Sequence, residues 1–133
     1  MAHLSMDYSA GLERRSDLAA LAQAAHLAML ETGIFPVAGI RVRLHRADHA
    51  IVADGLAEND FLAMTLSVGA GRSTSALREA GDLIFTAVKD QLALPLSTPH
   101  FALSLEVRII DPELSWKCTP IHARLSGPIR TER

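Results

Sequence analysis

Cysteine, lysine and long apolar runs are scarce in this chain of 133 residues. Cys118 is the only cysteine, which excludes an intrachain disulfide and a cysteine-based metal cluster. Lysine occurs only at Lys89 and Lys117, so arginine carries most of the positive charge, and arginine suits bidentate binding of carboxylates. No apolar stretch reaches membrane-spanning length, and the first residues do not resemble a secretory signal. We therefore expect a cytoplasmic protein without a membrane partner.

The charge balance and the histidines argue against two further classes of function. The net charge is -2 and the basic residues are dispersed, whereas nucleic-acid binding needs clustered positive charge. The six histidines lie far apart without ligand spacing, so we expect no metal site. With 49% hydrophobic and 21% charged residues, the composition fits one globular domain, which we assign to residues 1–125.

The first of two similar units covers about residues 2–46. Residues 3–8 alternate between apolar and polar side chains, as in a half-buried strand. A helix is expected to begin with Ser16 as its N-cap and Asp17 in its first turn, and to stop at Gly33. Residues 39–45 then alternate again, which predicts a second strand.

The second unit covers about residues 61–110 and follows a connector over residues 47–59. The connector has a turn signal at Asp54-Gly55 and room for a short strand at Ile51-Val52. A strand over residues 61–68 precedes the tight turn Gly69-Ala70-Gly71-Arg72-Ser73. A helix over residues 73–92 and a regular strand over residues 101–109 complete the unit.

This repeated order of strand, helix and strand predicts an α+β fold. A helix that joins two strands of one sheet makes them parallel, with a right-handed crossover. Two such βαβ units can form one four-stranded sheet that carries both helices on one face. The other face of the sheet then holds polar side chains, namely His3, Ser5, Arg41, Arg43, Glu106 and Arg108.

The character of the chain changes after Asp111-Pro112. The segment that follows is expected to be a loop with Trp116 as its apolar anchor. Residues 121–125 are expected to form a last short strand, and residues 126–133 a flexible tail.

Several short strings, in order and without need of a gap, resemble the 5-carboxymethyl-2-hydroxymuconate isomerase family of the tautomerase superfamily. The strings include Gly33-Ile34-Phe35-Pro36, Val52-Ala53-Asp54-Gly55, Gly69-Ala70-Gly71-Arg72-Ser73, Asp111-Pro112-Glu113-Leu114 and Ile121-His122-Ala123. The resemblance implies the doubled fold described above, assembled as a homotrimer, and an enzyme without a metal or organic cofactor. It implies that a proton moves within a dienol bearing several carboxylates to give a conjugated ketone, in the bacterial breakdown of an aromatic compound.

The same resemblance implies which residues bind the substrate. Arg41 and Arg72 match substrate-binding positions of the family. Arg41 lies on the polar face of its strand, and Arg72 lies in a glycine-rich turn before a helix, where backbone N–H groups also favour an anion. Arg43 and His3 share the polar face and are weaker candidates for the same role.

Ala2 departs from the family, whose usual catalytic base is an amino-terminal proline. If Met1 is removed, Ala2 offers a primary amine, and nearby arginines and desolvation lower the pKa of an amine. The prediction is therefore an isomerase of weak or altered activity with Ala2 as its base. The alternatives are a homologue that binds dicarboxylates without catalysis, and a different reaction that uses another base.

Overall fold

The computed structural model describes residues 1–126. Apart from Ser126, the tail expected over residues 126–133 lies outside these described residues. The strands and helices, in chain order, are β1 (Ala2–Ser9), α1 (Leu18–Glu31), β2 (Ile40–Ala47), β3 (Asp60–Gly69), α2 (Thr74–Gln91), α3 (Ala93–Leu96), β4 (Phe101–Ile110) and α4 (Pro120–Ser126). Short 3-10 turns cover Ala10–Arg14, Val37–Gly39 and Pro112–Leu114.

The four strands form one mixed sheet in the order β2-β1-β3-β4. Within each unit the strands are parallel, β1 with β2 and β3 with β4. The two units join through β1 and β3, which run antiparallel, so Ala2 lies beside both Ile40 and Val68. This pairing brings the starts of β1 and β2 and the ends of β3 and β4 to the same end of the sheet.

The hydrophobic core lies between one face of the sheet and the helices α1 and α2. Alternate residues of β1 and β3 are fully or almost fully buried, including Leu4, Met6, Leu62 and Met64. The helices contribute Leu21, Ala25 and Met29 from α1 and Leu77, Ile84 and Val88 from α2. The predicted α+β class, with both long helices on one face of a four-stranded sheet, is thereby confirmed.

The beginning of α1 differs from the prediction by one residue. Asp17, not Ser16, is the N-cap, and its carboxylate accepts a hydrogen bond of 3.1 Å from the backbone N–H of Ala20. Ser16 and Asp17 are both residue types that cap helices, so the sequence does not distinguish them. The end of the helix is as predicted, with Gly33 in the left-handed region at φ 71°.

Three predictions about loops and short elements are wrong. Residues 121–125 belong to the helix α4 and not to a strand, because Pro120 suits the first position of a helix. Ile51 and Val52 form no strand, and Ile51 is 92% exposed. Trp116 is not an apolar anchor, since it is 85% exposed in this chain.

Candidate functional site

A cavity of about 180 Å³ opens at the end of the sheet where β1 begins and β3 and β4 end. Its lining comes from both units and from the segment after β4, and consists of Met1, Gly69, Ala70, Ile110, Pro112, Ser115 and Lys117. Met1 is held there by its backbone, since the N–H of Gly69 donates a hydrogen bond of 3.3 Å to the Met1 carbonyl. The start of the chain is therefore part of this site.

The amino group of Met1 lies in an environment that disfavours its protonated form. Partial burial lowers the pKa of this amine below its ordinary value of 8.0. The positive charges of Arg72, Lys117 and Arg41 lower the pKa further, in that order. A cationic environment and desolvation act in the same direction on an amine, so more of it is neutral and able to accept a proton near neutral pH.

Arg72 is held at this end of the sheet by three contacts. Its Nε donates a hydrogen bond of 3.0 Å to the carbonyl of Ile34, and its Nη1 donates one of 3.2 Å to the carbonyl of Gly69. The guanidinium carbon lies 5.0 Å from the centre of the Phe35 ring, within the range of a cation–π interaction. The loop that contains Gly33-Ile34-Phe35-Pro36 therefore orients this arginine.

Arg41 and His3 lie side by side on the polar face of the sheet. They are paired in the register of β1 and β2, and the Nη1 of Arg41 lies 3.3 Å from the Nε2 of His3. The same Nη1 donates a hydrogen bond of 3.2 Å to the carbonyl of Gly39. Burial lowers the pKa of His3, and the charges of Arg41 and Arg43 lower it further, so His3 is neutral at physiological pH and can accept a hydrogen bond from Arg41.

The cations that surround the amine have no carboxylate partner in the part of the chain that the structure describes. Within residues 1–126, none of Arg41, Arg72 and Lys117 forms a salt bridge, whereas Arg15, Arg46 and Arg108 each pair with an acidic side chain. Positive charges brought together without neutralising partners repel one another and attract anions. The site is therefore suited to a ligand that carries carboxylates.

The described part of the chain also bears on metal binding and on membrane insertion. Across residues 1–126, no group of three or more His, Cys, Asp or Glu side chains is arranged to hold a metal ion. Over the same residues, no helix is both long and apolar enough to cross a membrane.

Comparison with known proteins identifies the family of the chain. The family model for 5-carboxymethyl-2-hydroxymuconate isomerase matches residues 2–125. The chain belongs to this family. A relative from Escherichia coli, 5-carboxymethyl-2-hydroxymuconate Delta-isomerase, is 35% identical over 123 residues, which cover 92% of this chain and 98% of the relative.

Solved structures agree with the sequence comparison. A 5-carboxymethyl-2-hydroxymuconate isomerase from Deinococcus radiodurans R1 superposes with a TM-score of 0.87 and 31% sequence identity, over 95% of each chain. A fused 4-OT protein, a wild type symmetric trimer, matches with a TM-score of 0.66 and 21% identity, over 87% of this chain and 93% of the other. The second likeness is one of fold alone.

Among the described residues that line the cavity, none is a predicted site residue. Arg72, Arg41 and His3 are half-buried around the start of β1. Arg43 lies two residues farther along β2, is exposed, and acts on His3 only through its charge. Ala2 is fully buried as the first residue of β1, directly after Met1, which lines the cavity.

Lys117 is the site residue that the sequence reasoning missed. It lines the cavity with Met1, although it lies more than a hundred residues away in the chain. The available signals were weak: it is one of two lysines, and it closely follows the family string Asp111-Pro112-Glu113-Leu114. Neither signal relates this loop to the start of β1, because only the pairing of β1, β3 and β4 brings them together.

Proposed function

We propose that this protein is an isomerase that moves a proton within a carboxylated dienol, with 5-carboxymethyl-2-hydroxymuconate as its substrate. The observation that carries the proposal is the place of the terminal amine, that of Met1 in this structure, beside cations that lack carboxylate partners among the described residues, surroundings that lower its pKa. Such a site combines a base with groups that bind a polyanion. Family membership supports the same reaction.

In this mechanism the neutral amine takes the proton of the dienol hydroxyl and the same ammonium returns a proton to a carbon of the conjugated system. The intermediate is a dienolate, whose negative charge is stabilised by the guanidinium groups of Arg41 and Arg72. These two arginines also hold carboxylates of the substrate. His3, which is neutral, holds Arg41 in place through the contact between Nε2 and Nη1. Arg43 has a weaker role, because its charge only adds to the positive potential at the rim of the site.

The base in this proposal is the amine of Ala2 after removal of Met1. That removal places the amine one residue further along β1, a shift of about 3.3–3.6 Å. Ala2 lies beside Ile40, which precedes Arg41, and beside Val68, which precedes Gly69. A primary amine there keeps the cationic surroundings but lacks the proline ring, so we propose a slower reaction than that of a proline-based relative.

We further propose that the protein acts as a homotrimer in the cytoplasm. The sheet has two outer strands, and the outer strand β4 exposes apolar side chains, with Ile109 at 61% and Val107 at 37%. Exposed apolar side chains on an edge strand favour contact with another chain. Light scattering coupled to size-exclusion chromatography is expected to give three times the chain mass of 14.3 kDa.

The test is an ultraviolet assay of 5-carboxymethyl-2-hydroxymuconate isomerisation, with intact mass measured on the same sample. Arg41→Gln and Arg72→Gln are each expected to lower kcat/KM by about 10- to 100-fold, because each variant loses a charged group that donates hydrogen bonds to the substrate. Arg78→Gln, on the exposed surface of α2, is the matched control and is expected to have no effect.

Two results bear on the base. Ala2→Pro in protein without Met1 is expected to raise kcat by up to about tenfold, which corresponds to about 1.4 kcal/mol of the barrier. If protein without Met1 binds dicarboxylates but gives no turnover above background, the proposal fails and the protein is a non-catalytic dicarboxylate-binding homologue.

A further inference from the structure

The segment between β4 and α4 holds Lys117 at the cavity from both of its ends. At one end, the Asp111 carboxylate accepts a hydrogen bond of 2.9 Å from the N–H of Glu113 and caps the 3-10 turn Pro112–Leu114. At the other end, α4 packs against the turn Val37–Gly39, and the His122 ring lies 3.7 Å from the position of a Cβ on Gly39. A connection held at both ends restricts where the backbone of Lys117 lies.

Lys117 lines the same cavity as Met1. Within residues 1–126 its side chain has neither a hydrogen bond nor a salt bridge with an acidic side chain. Its charge acts on the amine more strongly than that of Arg41, and it also acts on His3. Lys117 is thus a third cation at a site where repulsion already exists between the two arginines.

Lys117 also differs from the two arginines in exposure and in chemistry. Arg41 and Arg72 are half-buried and fixed by hydrogen bonds to backbone carbonyls, whereas Lys117 is exposed. A lysine ammonium is a compact charge on a flexible stem, which reaches a carboxylate without a fixed bidentate geometry. This combination suits the outermost anionic group of a ligand already held by the arginines.

We propose that Lys117 is a specificity-determining residue that binds a carboxylate beyond those held by Arg41 and Arg72. The site then prefers tricarboxylates to dicarboxylates of similar size. The inference rests on the proposed function, because it assumes that both arginines hold carboxylates of the same ligand. It adds to that function the residue that binds the third carboxylate, since the proposed substrate itself carries three.

The test compares two stable acids by isothermal titration calorimetry: propane-1,2,3-tricarboxylate and glutarate, which has the same chain length but lacks the middle carboxylate. Wild type is expected to bind the tricarboxylate more tightly. Lys117→Met is expected to lose about three- to tenfold in affinity for the tricarboxylate, the range for one charged contact at a partly solvated position, with little change for glutarate. Lys117→Arg keeps the charge and is expected to keep the preference.

Lys89→Met is the matched control, because Lys89 is the other lysine of the chain and lies in the exposed last turn of α2. It is expected to bind both acids as wild type does. The inference is overturned if Lys117→Met retains the wild-type preference for the tricarboxylate, or if wild type has no preference.

A second measurement reports directly on the side chain. Acetylation by a succinimidyl ester, followed by peptide mass spectrometry, gives separate labelling rates for Lys117 and Lys89. The tricarboxylate is expected to slow the labelling of Lys117 and to leave that of Lys89 unchanged; equal rates with and without the acid contradict the inference. Failure of the proposed function has a different signature, namely intact tricarboxylate preference without isomerisation of the dienol.

Discussion

Gly39 lies against the backbone of Met1 so closely that a Cβ atom on Gly39 would be 2.9 Å from the Met1 Cα and 3.2 Å from its amino nitrogen. Real Cβ atoms do not approach backbone atoms at 2.9 Å, so any larger residue at position 39 displaces Met1. Gly39 also offers its carbonyl to Arg41. One glycine therefore makes room for the first residue and helps to orient a proposed substrate-binding cation.

Gly39→Ala is expected to destabilise the protein only while Met1 is present. The added methyl group overlaps the Met1 backbone, and overpacking of this kind costs about 1–3 kcal/mol in free energy of unfolding. Urea denaturation of protein with Met1, and of protein treated with methionine aminopeptidase, measures the difference. Gly81→Ala is the control, since a Cβ there would meet Leu105 at an ordinary 4.0 Å. An equal penalty in both forms of Gly39→Ala contradicts the expectation.

The pH dependence of turnover is expected to report the lowered pKa of the amine. Only the neutral amine is a base, so kcat/KM rises with pH through the pKa of the Ala2 amine. Burial and nearby cations lower the pKa of the Met1 amine below its ordinary value of 8.0, and the same surroundings are expected to lower that of Ala2 once Met1 is removed. Arg72→Gln removes the strongest charge that lowers this pKa, so the midpoint of the acid limb moves to higher pH. The measurement is a pH–rate profile beside that of Arg78→Gln, and an unchanged midpoint in Arg72→Gln counts against the amine as base.

Phe35→Leu is expected to weaken substrate binding more than it changes the fold. The leucine removes the ring 5.0 Å from the Arg72 guanidinium, a contact of about 0.5–1 kcal/mol, and KM rises about two- to fivefold as the arginine loses its fixed position. Phe85→Leu is the control, because Phe85 packs against the core from α2 and has no cation–π contact within the described residues. Steady-state kinetics and thermal melts of both variants separate the effect on KM from that on stability.

Gly11→Ala is expected to lower stability without altering the chemistry. A Cβ on Gly11 would lie 2.6 Å from the Oδ1 of Asp60, a buried carboxylate that accepts a 2.7 Å hydrogen bond from Ser9 and lies 3.5 Å from Arg15. Disturbing this network costs about 1–3 kcal/mol. Ser9 ends β1, roughly 25 Å from the cavity at its start, so kcat/KM is expected to stay at the wild-type value. Chemical denaturation and the ultraviolet assay test the two halves of this prediction.

The elements that the sequence predicted correctly are those with local causes. Alternation over residues 3–8, 61–68 and 101–109 predicted β1, β3 and β4. The start of α2 was also predicted to within one residue, and Ser73 is its N-cap, accepting a hydrogen bond of 3.1 Å from the N–H of Ala76. The wrong predictions fall on short segments. Five residues of mixed polarity at 121–125 fit a strand or a helix equally well, and the exposure of Trp116 depends on what packs beside it.

In the candidate site, too, the residues with local signals were predicted and the residue placed by the fold was not. Arg41 and Arg72 could be predicted from their strings and from the side of the strand or turn on which they lie. Lys117 could not, because its place beside the amine depends on the segment after β4 returning to the start of β1.

Alternation and family strings are local signals, and they predict the two units, the polar face of the sheet, the arginines of the candidate site and the departure at Ala2. The antiparallel pairing of β1 with β3, and the action of Lys117, Arg41 and Arg72 on one amine, emerge only in the folded chain. The pKa of an amine responds to the charges that surround it in space, and here these charges come from residues far apart in the chain, with more than a hundred positions between Met1 and Lys117.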